Sequence, residues 1–221
     1  MATNQKIAII GATGFVGSAV VKEALERGYR VTAVARNPEK LDVQDEKLVA
    51  VKADVFNIDE LAAVLKGHDV VISTYNPGWT NPNIYEDYLK GSKAVQEAVK
   101  KSGVQRFLVV GGAGSLYVAP GVQLIDTPQF PAEYKPGALA AREYLEVIRQ
   151  EDRLDWTFVS PAIEMHQGTS GERRGTYRTD TDSPVFDTEG RSVLSVEDLA
   201  VAIVDEVEEG RYVRQRFTAA Y

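Results

Sequence analysis

Apolar and polar positions along this chain switch repeatedly between a strand-like and a helical period. Lys6-Ile7-Ala8-Ile9-Ile10 is a short apolar run that stops at Gly11, and Ser18-Ala19-Val20-Val21-Lys22-Glu23-Ala24-Leu25 then reads as a helix. Further strand-like runs fall at residues 30–35, 48–52, 69–73, 106–110 and 155–160. Helical patterns lie between them at residues 58–65, where Leu61, Val64 and Leu65 share one face, and at 85–101 and 136–150. Runs that are apolar on both faces and alternate with helices predict a parallel sheet covered on both sides. Right-handed crossovers make it a doubly wound α/β sheet. The last third changes character. Residues 161–192 are polar and rich in Gly, Thr, Arg and Asp, which predicts a loop region on the substrate side. Ser195 is a good N-cap for a helix running to about residue 208, and residues 216–221 read as a closing strand. Residues 1–221 are expected to form a single domain.

The junction of the first strand and helix carries the clearest chemistry, Gly11-Ala12-Thr13-Gly14-Phe15-Val16-Gly17. A glycine at position 11 lets the chain leave the strand in a sharp turn. Gly14 lets the backbone come close to phosphates, and Gly17 lets the helix pack tightly on the strand. The first N–H groups of the helix have no internal partners and lie at its positive end. Strand, glycine turn and helix together predict a dinucleotide pyrophosphate site.

Composition narrows the remaining possibilities. The net charge of −7 argues against a general nucleic-acid or membrane-surface role. The absence of cysteine removes disulfides, thiol nucleophiles and zinc–thiolate sites, and His68 and His166 alone make a metal site improbable. With the first strand starting at Lys6 and no apolar run of membrane-spanning length, a cytoplasmic protein without a signal peptide is expected.

The residue ending the second strand reads the adenosine ribose in such sheets: an acid suits the 2′-hydroxyl of NAD, an arginine the 2′-phosphate of NADP. That position holds Arg36, whose planar fork suits phosphate, so NADP is favoured over NAD. Asp54 and Val55 follow the third strand on the adenine side; Asp54 either accepts from the adenine amino group or caps a turn. Ser73, Thr74 and Tyr75, after the fourth strand, would line the ribose and nicotinamide side.

These features resemble the atypical short-chain dehydrogenase/reductases with a Rossmann fold. The resemblance rests on the glycine motif, Arg36, Asp54-Val55 and Trp156-Thr157-Phe158-Val159-Ser160-Pro161. More narrowly, Gly111-Gly112-Ala113-Gly114-Ser115-Leu116, Ser195-Val196-Glu197-Asp198-Leu199-Ala200 and Arg216-Phe217-Thr218-Ala219-Ala220-Tyr221 resemble the bacterial NADH-flavin reductase group. That group is similar to biliverdin reductase B and, more distantly, to NmrA-like proteins. The resemblance adds Gly111 to the cofactor-binding set and breaks at the Tyr-x-x-x-Lys pair. Lys135 stands about where the lysine would be, but Pro131 precedes it by four. Tyr134 and Tyr144 are followed four residues on by Ala138 and Ile148.

Without that tyrosine, an acceptor that needs little help with its proton is favoured. The expectation is hydride transfer from NADPH to a flavin-like or quinone-like small molecule, in a monomer or homodimer. A non-enzymatic NmrA-like sensor, or a nucleotide-sugar epimerase or dehydratase, is the alternative. Ser115 faces the nicotinamide or caps its own backbone. His166 donates a proton or is simply solvated. Trp79 and Tyr117 form flat walls for a ring or belong to the core or a lid. Arg173 and Arg174 meet an anionic substrate or form a solvated pair.

Overall fold

A computed structural model describes residues 4–221. In chain order the strands are β1 (Lys6–Ile10), β2 (Arg30–Ala35), β3 (Leu48–Lys52), β4 (Val70–Ser73), β5 (Arg106–Val110), β6 (Tyr117–Ala119), β7 (Val122–Gln123), β8 (Asp155–Ser160), β9 (Arg178–Asp180) and β10 (Gln215–Ala220). The helices are α1 (Phe15–Glu26), α2 (Ile58–Leu65), α3 (Ile84–Ser102), α4 (Lys135–Arg149) and α5 (Val196–Glu209). Eight strands form one sheet in the order β3-β2-β1-β4-β5-β8-β10-β9, parallel except for the β9–β10 pair. This is the doubly wound Rossmann-like sheet that the alternation of periods predicts.

Strand order reverses between β1 and β4, so their carboxyl ends open the crevice where such sheets bind ligands. Alternation along the strands sends side chains into two cores. Ile7, Ile9 and Val159 pack under α1 and α5; Ala8, Ile10 and Phe158 pack with residues of α2, α3 and α4. Caps place the helix ends. Asn57 accepts from the Glu60 N–H at the start of α2, and Ser195 accepts from the Asp198 N–H at the start of α5. No helix of the described residues is long and apolar enough to cross a membrane.

The structure adds two features to the expected elements. A small antiparallel hairpin, β6–β7, turns at Pro120-Gly121. The polar 161–192 stretch is not all loop: Arg178–Asp180 joins the sheet as an antiparallel edge strand, with Thr218 opposite Asp180.

Candidate functional site

The glycine turn is built by steric contact with the neighbouring strand. Gly11 has φ +80°, and a Cβ there would come within 2.8 Å of Thr74 Oγ1. A Cβ on Gly17 would collide with the Gly11 carbonyl oxygen. Thr74 holds the other side: its N–H donates to the Ile10 carbonyl at 2.9 Å, and its hydroxyl donates to the Ile10 and Gly11 carbonyls at 2.9 and 3.2 Å. Gly14 is the N-cap of α1 and offers no side-chain cap, so the first turn keeps its donors for another partner. Thr13 and Val16 are half-buried along this turn, and Phe15 is exposed. Two glycines a Cβ would disrupt, a third at the N-cap and an uncapped helix N-terminus fit a dinucleotide pyrophosphate.

The remaining expected cofactor residues lie on the same carboxyl edge. Arg36 follows β2, is exposed, and forms no ion pair among the described residues. Asp54 follows β3; one of its oxygens accepts from the Phe56 N–H at 3.0 Å, so it caps a turn. Val55 is half-buried beside it. Ser73 is buried and accepts weakly from the Tyr75 N–H. The Tyr75 hydroxyl donates to the Asp87 carbonyl at 3.0 Å. Burial, with Asp87 adding to it, pushes Tyr75 up to about 12, while Arg36 pulls the other way. A phenol at about 12 stays neutral at ordinary pH. Gly111 donates its N–H to the Val159 carbonyl at 2.9 Å and packs directly on the Phe158 ring.

The candidate catalytic residues do not converge. Ser115 is buried; its hydroxyl and its carbonyl both accept from Arg216 Nη1 at 3.0 Å. Lys135 is exposed at the first position of α4. His166 caps a short 3₁₀ turn, its Nδ1 accepting from the Gly168 N–H at 3.0 Å while Thr169 closes the box. The tyrosine near the broken dyad is equally committed: Tyr144 is fully buried, donates to Gln96 Oε1 at 3.1 Å, and is pushed well above its usual range by burial.

Sequence reasoning missed Arg216. It is 4% exposed, and its guanidinium donates to Ser115, to the Thr181 carbonyl and to Asp182. One side chain on β10 therefore fixes both the loop after β5 and the end of the polar segment. An arginine inside a run that otherwise reads as buried strand was the available signal.

Arg173 and Arg174 do not face an open anion site. Arg173 makes two bonds to Glu23 on α1, at 2.7 and 2.9 Å, and Arg27 adds a third at 2.7 Å. Glu23 lies eight residues into α1, about 12 Å from its N-terminus. Arg174 stacks on the Tyr221 ring at 4.1 Å. Asp198 gathers this corner, accepting from the N–H groups of Arg174 and Gly175 and from the Tyr221 hydroxyl. The Ser195–Ala200 and Arg216–Tyr221 signatures are thus anchors of the polar segment.

The profile of the NAD(P)H-binding family matches residues 11–209. The uncharacterized protein YwnB of Bacillus subtilis is 37% identical over 215 residues, covering 96% of this chain and 97% of that one. A Bacteroides thetaiotaomicron structure provisionally named an epimerase is 46% identical with a TM-score of 0.91, covering 99% and 98%. A Streptococcus pneumoniae structure provisionally named an NADH-flavin reductase is 35% identical with a TM-score of 0.83, covering 98% and 99%. With the glycine turn and the strand order already in place, these matches make the chain a member of the NAD(P)H-binding family of Rossmann-like proteins.

Proposed function

We propose that this protein is an NADPH-dependent reductase of a flavin-like or quinone-like acceptor, working in the cytoplasm. The observation that supports the reading is the carboxyl-edge set: an uncapped α1 behind the glycine turn, with Arg36, exposed and without an ion pair among the described residues, at the end of β2. When bound, NADPH supplies a hydride. The turn and first helical N–H groups hold the pyrophosphate. Arg36 offers a forked donor to the 2′-phosphate, and Ser73, Thr74 and Tyr75 line the ribose side.

The protein's own residues supply little acid–base chemistry. Pro131 has no proton to give, Tyr144 is sealed in the core, and the His166 ring serves a turn through Nδ1. That favours acceptors whose reduced form takes its proton from water. The Streptococcus pneumoniae neighbour's name points the same way. The missing donor pair equally motivates a nucleotide sensor of the NmrA-like type, and turnover separates the two.

The test is calorimetric titration of NADPH and NADH into wild type and Arg36→Ala, followed by loss of reduced-nicotinamide absorbance on adding flavin or quinone. Losing a charge-assisted phosphate contact should weaken NADPH by about tenfold or more and leave NADH unchanged. Equal NADPH affinity in the variant overturns the cofactor choice. Tight binding without turnover of any flavin or quinone overturns the reductase.

A further inference from the structure

The loop after β4 continues past the ribose side into a fixed aromatic corner. Trp79, four residues beyond Tyr75, is 55% exposed, and Tyr134, just before α4, is 46% exposed. Their ring centroids lie 5.3 Å apart with the planes at 83°. The α4 helix leads back to the amino end of β8, so Tyr134 stands on the same carboxyl edge as the glycine turn. Phe15 and Ile163 are exposed on segments of that edge as well.

This corner is held in place. A Cβ on Gly137 would come within 2.8 Å of the Trp79 ring and 2.9 Å of Ile84, so the indole rests against the first turn of α4 where a side chain is missing. The loop itself is braced: Asn76 accepts from the Gly78 N–H, Asn81 accepts from the Asn83 N–H, and Asn81 donates to Asp87 at 2.8 Å. An exposed indole costs apolar surface in water, and one packed in a defined pose on the carboxyl edge, where such sheets bind ligands, offers a ligand surface.

We infer that Trp79 and Tyr134 receive the planar conjugated ring of the acceptor, the ring lying on one aromatic face and meeting the other edge-on. This rests on the reductase reading above and names the surface that selects ring-shaped acceptors. Perpendicular aromatic faces suit a rigid bicyclic or tricyclic ring and offer little to a flexible aliphatic carbonyl.

Tryptophan emission tests it without turnover. The second tryptophan, Trp156, is buried and donates to the Glu151 carbonyl, so Trp156→Phe isolates Trp79. FMN and a 1,4-naphthoquinone are titrated separately into the protein held with NADP⁺. The expected result is saturable quenching of Trp79, at least tenfold weaker ring binding by calorimetry in Trp79→Leu, and near wild-type binding in Trp79→Phe. NADP⁺ affinity should be the same in all three, which also reports that they are folded. Unchanged ring binding in Trp79→Leu, or saturable binding that leaves Trp79 emission untouched, overturns the corner. If Trp79→Leu still reduces either acceptor with an unchanged KM, the corner falls and the reductase reading stands. If wild type neither binds nor reduces either ring, both fall.

Discussion

The turn after β1 and the polar segment after β8 leave the same sheet edge but are held by different means. The turn is fixed by backbone: Gly11, Gly17 and the carbonyl they share, with Thr74 bonded across from the next strand. The segment is fixed by side chains from far along the chain. Arg173 reaches Glu23, 150 residues away; Arg216 donates to the Thr181 carbonyl, 35 away; Asp198 accepts from the Arg174 and Gly175 N–H groups. A site made of backbone tolerates almost no change at its glycines. A segment made of side-chain pairs fails one tie at a time.

The largest effect on cofactor binding should come from Gly17→Ala. The added methyl must displace the Gly11 carbonyl, so NADPH affinity should fall on the order of 100-fold and stability by about 1–3 kcal/mol. Titration and thermal melting check both. A variant that binds NADPH normally would show that the turn can yield, and the contrast with the segment would disappear.

Arg216→Met comes next. It leaves the buried Ser115 hydroxyl and carbonyl without their donor and unties the Thr181 carbonyl, which should cost about 2–4 kcal/mol in urea unfolding. NADPH affinity should stay within about twofold, a negligible free-energy change. Loss of NADPH binding at full stability would place Arg216 in the nucleotide half instead.

Glu23→Gln should be milder, about 1–2 kcal/mol, from three weakened charged hydrogen bonds. Its pH dependence sharpens the test. Burial raises the Glu23 carboxyl, but hydrogen bonds from Arg173 and Arg27 outweigh it and hold the group below its ordinary 4.5. A lowered folded value adds stability that is present above pH 4.5 and is lost as pH falls through the folded value. Unfolding curves across that acid range should show this limb in wild type and lack it in the variant.

The sheet and the glycine turn at its carboxyl edge were largely legible in the sequence because their determinants are local. Ile7–Ile10 followed by Gly11 specify a strand and a turn within a few residues, and Ser195 caps its helix three residues on. The small hairpin also had a local signal, Pro120-Gly121 between two short runs. The anchoring pairs had none. Nothing near Arg173 reveals that its partner is Glu23, and Arg216 stands in a strand where burial would not be expected of a charge. Trp79 was visible as an aromatic, but its fixed pose depends on Gly137, 58 positions later, and on Tyr134.

The posts that hold the polar segment have a consequence for diversification. Glu23, Asp198 and Arg216 belong to α1, α5 and β10, so they remain in place whatever runs between them. Residues 183–195 span the gap from the Arg216 tie to the start of α5. Doubling the length of such a loop adds only about 0.6 kcal/mol of closure entropy. This stretch can therefore change in length at little cost to the fold while the glycine turn stays as it is. In that sense the scaffold is a socket, and the stretch between its posts is the interchangeable part.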